Sequence, residues 1–113
     1  MINKNIEKYK IDSNLSIKEA IKHMDTLDHD ICVCLNKSQN VDGIFTEWDF
    51  RNAVYKGISL NHRVTKIINK NFKFVTSSKN IKKIKNLFNK NINYIPVIKN
   101  KKFINIIFKD TLK

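Results

Sequence analysis

The chain has 113 residues, 42% of them hydrophobic, and carries a formal net charge of +12. Its size allows one domain, or two very small ones sharing a core, and its apolar content excludes a disordered tail. The positive charge is almost all lysine, scattered among asparagine and isoleucine with only Arg51 and Arg63 as arginines; it reads as a solvated basic surface, and nucleic acid is not expected as a partner.

The start, MINKNIEKYK, has no apolar core region, so no secretory signal is expected. The longest apolar stretches, such as Ile31–Leu35, are strand length, so no membrane span is expected either. A soluble, cytoplasmic protein follows as the expectation. Cys32 and Cys34 are the only cysteines; one residue apart in a strand, they are placed poorly for a disulfide and read as buried thiols. No second Cys/His cluster with zinc spacing accompanies them, and His23, His29 and His62 form no ligand pattern, so no metal is expected.

In chain order, residues 9–11 are a short extended piece. Ser16 opens a helix, because S-I-K-E is a capping box with Glu19 three residues on. Ile17, Ala20, Ile21, Met24 and Leu27 follow at helical spacing. ICVCL is a buried strand, residues 36–40 a polar turn, and residues 41–45 a second strand, so the pair reads as a hairpin. A helix begins near Thr46 with Phe50, Ala53 and Val54 on one face, and Gly57 stands where it should stop.

The second half repeats this order. Residues 72–75 are extended, Asn80 caps a helix bearing Ile81, Ile84, Leu87 and Phe88, and residues 95–98 and 103–108 are strands around a turn at 99–102. At a constant offset Ile17 falls on Ile81, Ala20 on Ile84, Met24 on Phe88 and Val33 on Val97. The chain is therefore read as two strand–helix–strand–strand–helix copies, residues 1–57 and 72–113, joined by 58–71, with the last helix cut short at Lys113. Each copy alone has too few apolar residues for a stable core. The predicted class is α+β: two β-α-β-β-α repeats related by a pseudo-twofold axis, sheets inside and helices outside, with a cleft near the two strand-to-helix corners.

The first corner is GIFTEWDFR, residues 43–51. Thr46 would begin the helix, where a hydroxyl and free N–H groups suit an anion. Asp49, one turn on, would repel a phosphate but suits the vicinal hydroxyls of a ribose. Thr-x-x-Asp equally matches a capping box, and spacing alone does not choose between the two. In the second half Phe108 falls where Thr46 lies and Thr111 where Asp49 lies, so at most one good site is predicted. Arg51 is a candidate phosphate contact or a solvated helix residue, and Trp48 a stacking surface for a ligand or a second module. No nucleophile–base pair appears, so no enzyme is expected.

The repeat, GIFTEWD in the first half and NYIPVI in the second resemble a tandem pair of CBS domains, a Bateman module, over essentially the whole chain. The run TEWDFRNAVYKGISLNHRVTKIINKNF is similar to CBS pairs that precede sugar-phosphate nucleotidyltransferases, departing from their pattern at Glu47, Trp48 and Ile68. The resemblance implies a non-enzymatic regulatory module that binds AMP, ADP or ATP, commonly as a homodimer, and regulates a fused or associated enzyme. It implies phosphate at Thr46, ribose at Asp49, and a base held by Ile68, Phe72, Ile92 and Pro96. A nucleotidyltransferase needs a glycine-rich loop and metal-binding aspartates, and with two glycines in all this chain supplies no such domain. Two other readings stay open: a ligand-free dimerisation scaffold, and a basic nucleic-acid-binding protein.

Overall fold

The computed structural model describes residues 5–112; residues 1–4 and 113, which the expected repeats include, lie outside the described residues. The chain divides into two units, Glu7–Phe72 and the part from Lys73 onward, which also takes in Asn5 and Ile6.

A 3-10 turn, Ile6–Tyr9, leads into β1 (Lys10–Asp12) of the first unit. Helix α1 (Ile17–Met24) starts at the expected capping box: Glu19 N–H donates to Ser16 Oγ and Ser16 N–H to Glu19 Oε1, each at 3.0 Å. Its helical spacing turns Ile17, Ala20 and Met24 inward. Strands β2 (Ile31–Leu35) and β3 (Val41–Thr46) complete a sheet of order β1-β2-β3, with β1 parallel and β3 antiparallel to β2. The two-residue period of β2 sends Cys32 and Cys34 into a cluster with Ile11, Ile17, Ala20, Met24, Phe45 and Val64. Ile31 and Val33, on the other face, are also fully buried. Helix α2 (Glu47–Tyr55) ends where Gly57, at φ +75°, takes the left-handed conformation that closes a helix.

The segment 58–71, expected as a connection, is built into the first unit. The first amides of α1 have no partner within the helix. Ile17 N–H donates instead to His62 O at 2.9 Å and Lys18 N–H to Leu60 O at 3.0 Å. Val64 is wholly buried in the cluster, and Asn69 exchanges both backbone bonds with Ile44.

In the second unit α3 (Ile81–Leu87) starts at Asn80, whose side chain accepts from Lys83 N–H at 3.0 Å. Strands β4 (Tyr94–Lys99) and β5 (Lys102–Phe108) form an antiparallel hairpin. Asn100 and Lys101 turn it with both φ positive, as a two-residue hairpin loop requires. The core gathers Val75, Ile84, Ile95, Val97 and Ile107. The extended piece expected at 72–75 is reduced to one parallel bridge, Val75 to Val97. The last helix is a single 3-10 turn, Lys109–Thr111. The architecture is α+β, as expected from the repeated order of elements.

Candidate functional site

The corner between β3 and α2 is shaped by a close approach. Both backbone groups of Ile44 are taken by Asn69, its N–H donating to Asn69 O at 3.0 Å and its C=O accepting from Asn69 N–H at 2.8 Å. A side chain at Gly43 would meet Asn69 O at 2.8 Å and Ile68 Cδ1 at 2.9 Å. Gly43 therefore admits the strap rather than a turn. It also sets Ile68 against the strand that delivers Thr46. Asn69 was not foreseen in this role; an asparagine in a polar connection carries no signal for it.

At the end of β3, Thr46 adopts φ −121° and ψ 168° and caps α2. The capping-box alternative is realised. Thr46 N–H donates to Asp49 Oδ2 at 2.8 Å, Thr46 Oγ1–H donates to the same oxygen at 2.9 Å, and Asp49 N–H donates to Thr46 Oγ1 at 3.3 Å. The hydroxyl proton is thus committed to the carboxylate. The N–H groups of Glu47 and Trp48, at the first two helical positions, remain the donors of this helix start.

Asp49 is only 8% exposed. All three of its bonds involve the backbone N–H or Oδ2, and none uses Oδ1. Among the described residues no fully buried side-chain oxygen lacks a partner, so Oδ1 reaches accessible space. Burial pushes the Asp49 carboxyl above the usual aspartate value of 3.8, against the lowering effect of the two Thr46 bonds. The result is a carboxylate fixed in orientation by one oxygen, with the other unbonded and not fully enclosed.

The remaining expected residues divide between the units. Ile68 is half-buried against the first cluster, and Phe72, half-buried, ends that unit. Ile92 packs on the second cluster, and Pro96 is buried in β4 opposite Ile106. Arg51 is exposed and pairs with Glu47 one turn back. Trp48 is 68% and Tyr55 90% exposed, and with Arg51 and Asn52 they line a shallow groove of about 190 Å³. At the equivalent corner of the second unit Phe108 occupies the cap position without any side-chain cap, and Thr111 Oγ1 donates to Phe108 O at 2.7 Å. No capping box forms there.

Residues 64–112 match the model of the CBS domain. The match begins at Val64, inside the strap of the first unit, and runs through the second. No curated protein matches the chain. Among solved structures, it is similar to the CBS domain pair of protein MJ0100 in complex with 5′-methylthioadenosine and S-adenosyl-L-methionine (19% identity, 97% of this chain and 92% of that one, TM-score 0.77). It is similar to the CBS domains of a transcriptional regulator from Streptococcus pneumoniae (16%, 92% and 86%, TM-score 0.76). It is also similar to the CBS-domain containing protein ATU1752 from Agrobacterium tumefaciens (24%, 88% and 76%, TM-score 0.71). At these identities the likeness is one of fold. Modules of CBS domains are typically regulatory rather than catalytic. Among the described residues no group of three His, Cys, Asp or Glu is placed to hold a metal ion, and no helix is long and apolar enough to cross a membrane.

Proposed function

We propose that this chain is a regulatory module that binds an adenine nucleotide, AMP, ADP or ATP, and passes its ligand state to a fused or associated enzyme. The observation that carries the reading is Asp49 Oδ1: an accessible acceptor on an otherwise buried, oriented carboxylate. Such an oxygen suits the hydroxyls of a ribose, a charged acceptor making the stronger class of hydrogen bond. The phosphate is assigned to the Glu47 and Trp48 N–H groups at the start of α2, with Thr46 holding the corner and Arg51 within one turn. The base is assigned to Ile68 and Phe72, with Ile92 and Pro96 as the further candidates. The likeness to the MJ0100 pair, whose two ligands are both adenosine derivatives, supports the choice of adenine.

The ligand would act by binding one conformation of the module more tightly than another, since only differential affinity shifts an equilibrium. A sugar-phosphate nucleotidyltransferase is the candidate enzyme, on the resemblance of residues 46–72. The exposed Trp48 and Tyr55, two turns apart on α2, favour a homodimer as the working form. The cytoplasm is the proposed compartment, where Cys32 and Cys34 stay reduced.

Calorimetry with AMP, ADP, ATP and the guanine nucleotides tests this on wild type, Asp49→Ala and Asp49→Asn. The expected dissociation constant for an adenine nucleotide is roughly micromolar to millimolar. Both variants should bind more weakly by at least about 1 kcal/mol. Asp49→Asn keeps an acceptor for Thr46 N–H, so a loss there is not a loss of the cap. A folded wild type that binds none of these nucleotides refutes the proposal and leaves the ligand-free dimerisation scaffold.

A further inference from the structure

The net charge is unevenly divided along the chain. Residues 73–113 hold eleven lysines and a single acid, Asp110, whereas residues 1–72 hold eleven lysines and arginines against nine acids. A general bias toward lysine does not account for this, because it is the acids that are missing from the second part.

The ten described lysines from Lys73 onward are all exposed. Lys82, Lys83 and Lys85 stand on α3 around the inward Ile84. Lys99, Lys101 and Lys102 fill three of four positions at the hairpin turn. Lys90 and Lys109 lie at the opposite end, where Lys109 Nζ donates to Asn89 O at 3.2 Å. The turn is built against local preference. Lys99 and Lys102 are directly paired across the hairpin, a like-charge arrangement that weakens it. Lys101 takes φ +67°, a conformation that glycine or asparagine adopts at lower cost.

We propose that the lysine-rich surface of the second unit binds the phosphate backbone of a nucleic acid without reading its sequence. This is independent of the nucleotide reading, which concerns the first corner. Three features choose this occupant. Strands of six to seven residues set the two ends of the hairpin about 20 Å apart. Charges spread over that length match a repeating anion, not one phosphate group. Residues 73–113 contain no arginine, and lysine is a point charge that meets phosphate but lacks the planar fork that reads a guanine edge. Among the described residues the exposed large apolar ones of this unit are Phe74 and Ile104, too few for the apolar centre of a protein interface.

The test is fluorescence anisotropy of a labelled 20-base-pair duplex of arbitrary sequence with the full chain, titrated at several salt concentrations between about 50 and 200 mM. Wild type should bind at the low end with affinity that falls steeply with salt. The triple variant Lys82→Glu, Lys83→Glu, Lys85→Glu should lose at least about tenfold in affinity and flatten the slope of log K against log salt by roughly 2 to 3. The control Lys18→Glu, Lys22→Glu, Lys37→Glu, equal in charge change but on the first unit, should keep most of the slope. Lys99→Glu alone replaces a like-charge pair by an opposite one; it should raise the melting temperature while lowering affinity severalfold, which separates folding from binding. Equal losses in both triples, no duplex binding at 50 mM salt, or binding to phosphatidylserine vesicles without duplex binding would each overturn the proposal.

Discussion

The Thr46 hydroxyl donates its proton to Asp49 Oδ2 at 2.9 Å while Thr46 N–H donates to the same oxygen at 2.8 Å. One carboxylate oxygen therefore holds the start of α2, and it is the other that the proposed ribose contact would use. The helix-cap reading of Thr-x-x-Asp uses one oxygen of the side chain, and the proposed ligand contact would use the other.

The ionisation of Asp49 should be visible in stability. Its folded-state carboxyl lies above the ordinary 3.8, mainly through burial. The folded state then holds the proton more tightly than the unfolded one, so this group's contribution falls as pH rises through the raised value and stays unfavourable above it. In urea unfolding at pH 3 to 6, the difference between wild type and Asp49→Asn should drift in the mutant's favour with rising pH. A difference that is flat across this range would contradict the assignment.

Gly43→Ala should be among the more damaging small substitutions. The added carbon would sit 2.8 Å from the Asn69 carbonyl, a backbone atom that cannot swing aside. Forcing an extra methyl into such a contact costs about 1–3 kcal/mol. Ala20→Gly in α1 serves as a comparison of different origin, a helix-propensity change of about 1 kcal/mol with a small cavity added. Amide exchange should show the distinction: Gly43→Ala exposes Ile44 and Asn69 amides, and Ala20→Gly does not.

Tyr9 is buried, and its hydroxyl donates to Asp28 Oδ1 at 2.7 Å. This bond, with Lys8 beside it, holds the Asp28 carboxyl down at about 2. A depressed value means stability that is present above the ordinary pKa and lost as pH falls from about 3.8 toward about 2. Tyr9→Phe should cost about 1 kcal/mol at neutral pH, less than a fully buried charged hydrogen bond because the Asp28 carboxylate is more than half exposed. The mutant should also show a shallower acid limb in a denaturation profile from pH 4 to pH 2.

Both cysteines should be inert in the folded protein. Burial pushes the Cys32 thiol up to about 12 and the Cys34 thiol higher still, and only the thiolate reacts. A disulfide-exchange reagent at pH 8 should label neither until urea unfolds the first unit, and then both together. Fast labelling under native conditions would show that the cluster opens locally.

The local elements were legible in the residues themselves, because their signals are local. Ser16 and Glu19 announce a helix start through bonds that span three residues, Gly57 marks a helix end through its backbone freedom, the unbroken apolar run ICVCL marks a buried strand, and the spacing of three to four in α1 follows from helix geometry. Internal repetition carried the α+β class, since equivalent apolar positions imply equivalent faces. Tertiary structure alone decided what depends on distant segments meeting. It turned residues 58–71 from a connection into a strap that satisfies the free amides of α1, made Gly43 a point of contact with Asn69, and left the expected strand at 72–75 as the single bridge at Val75. It also decided which oxygen of Asp49 is spent on Thr46. Hydrogen-bond direction and close approach are set by where backbones lie in space, and spacing along a chain does not encode that.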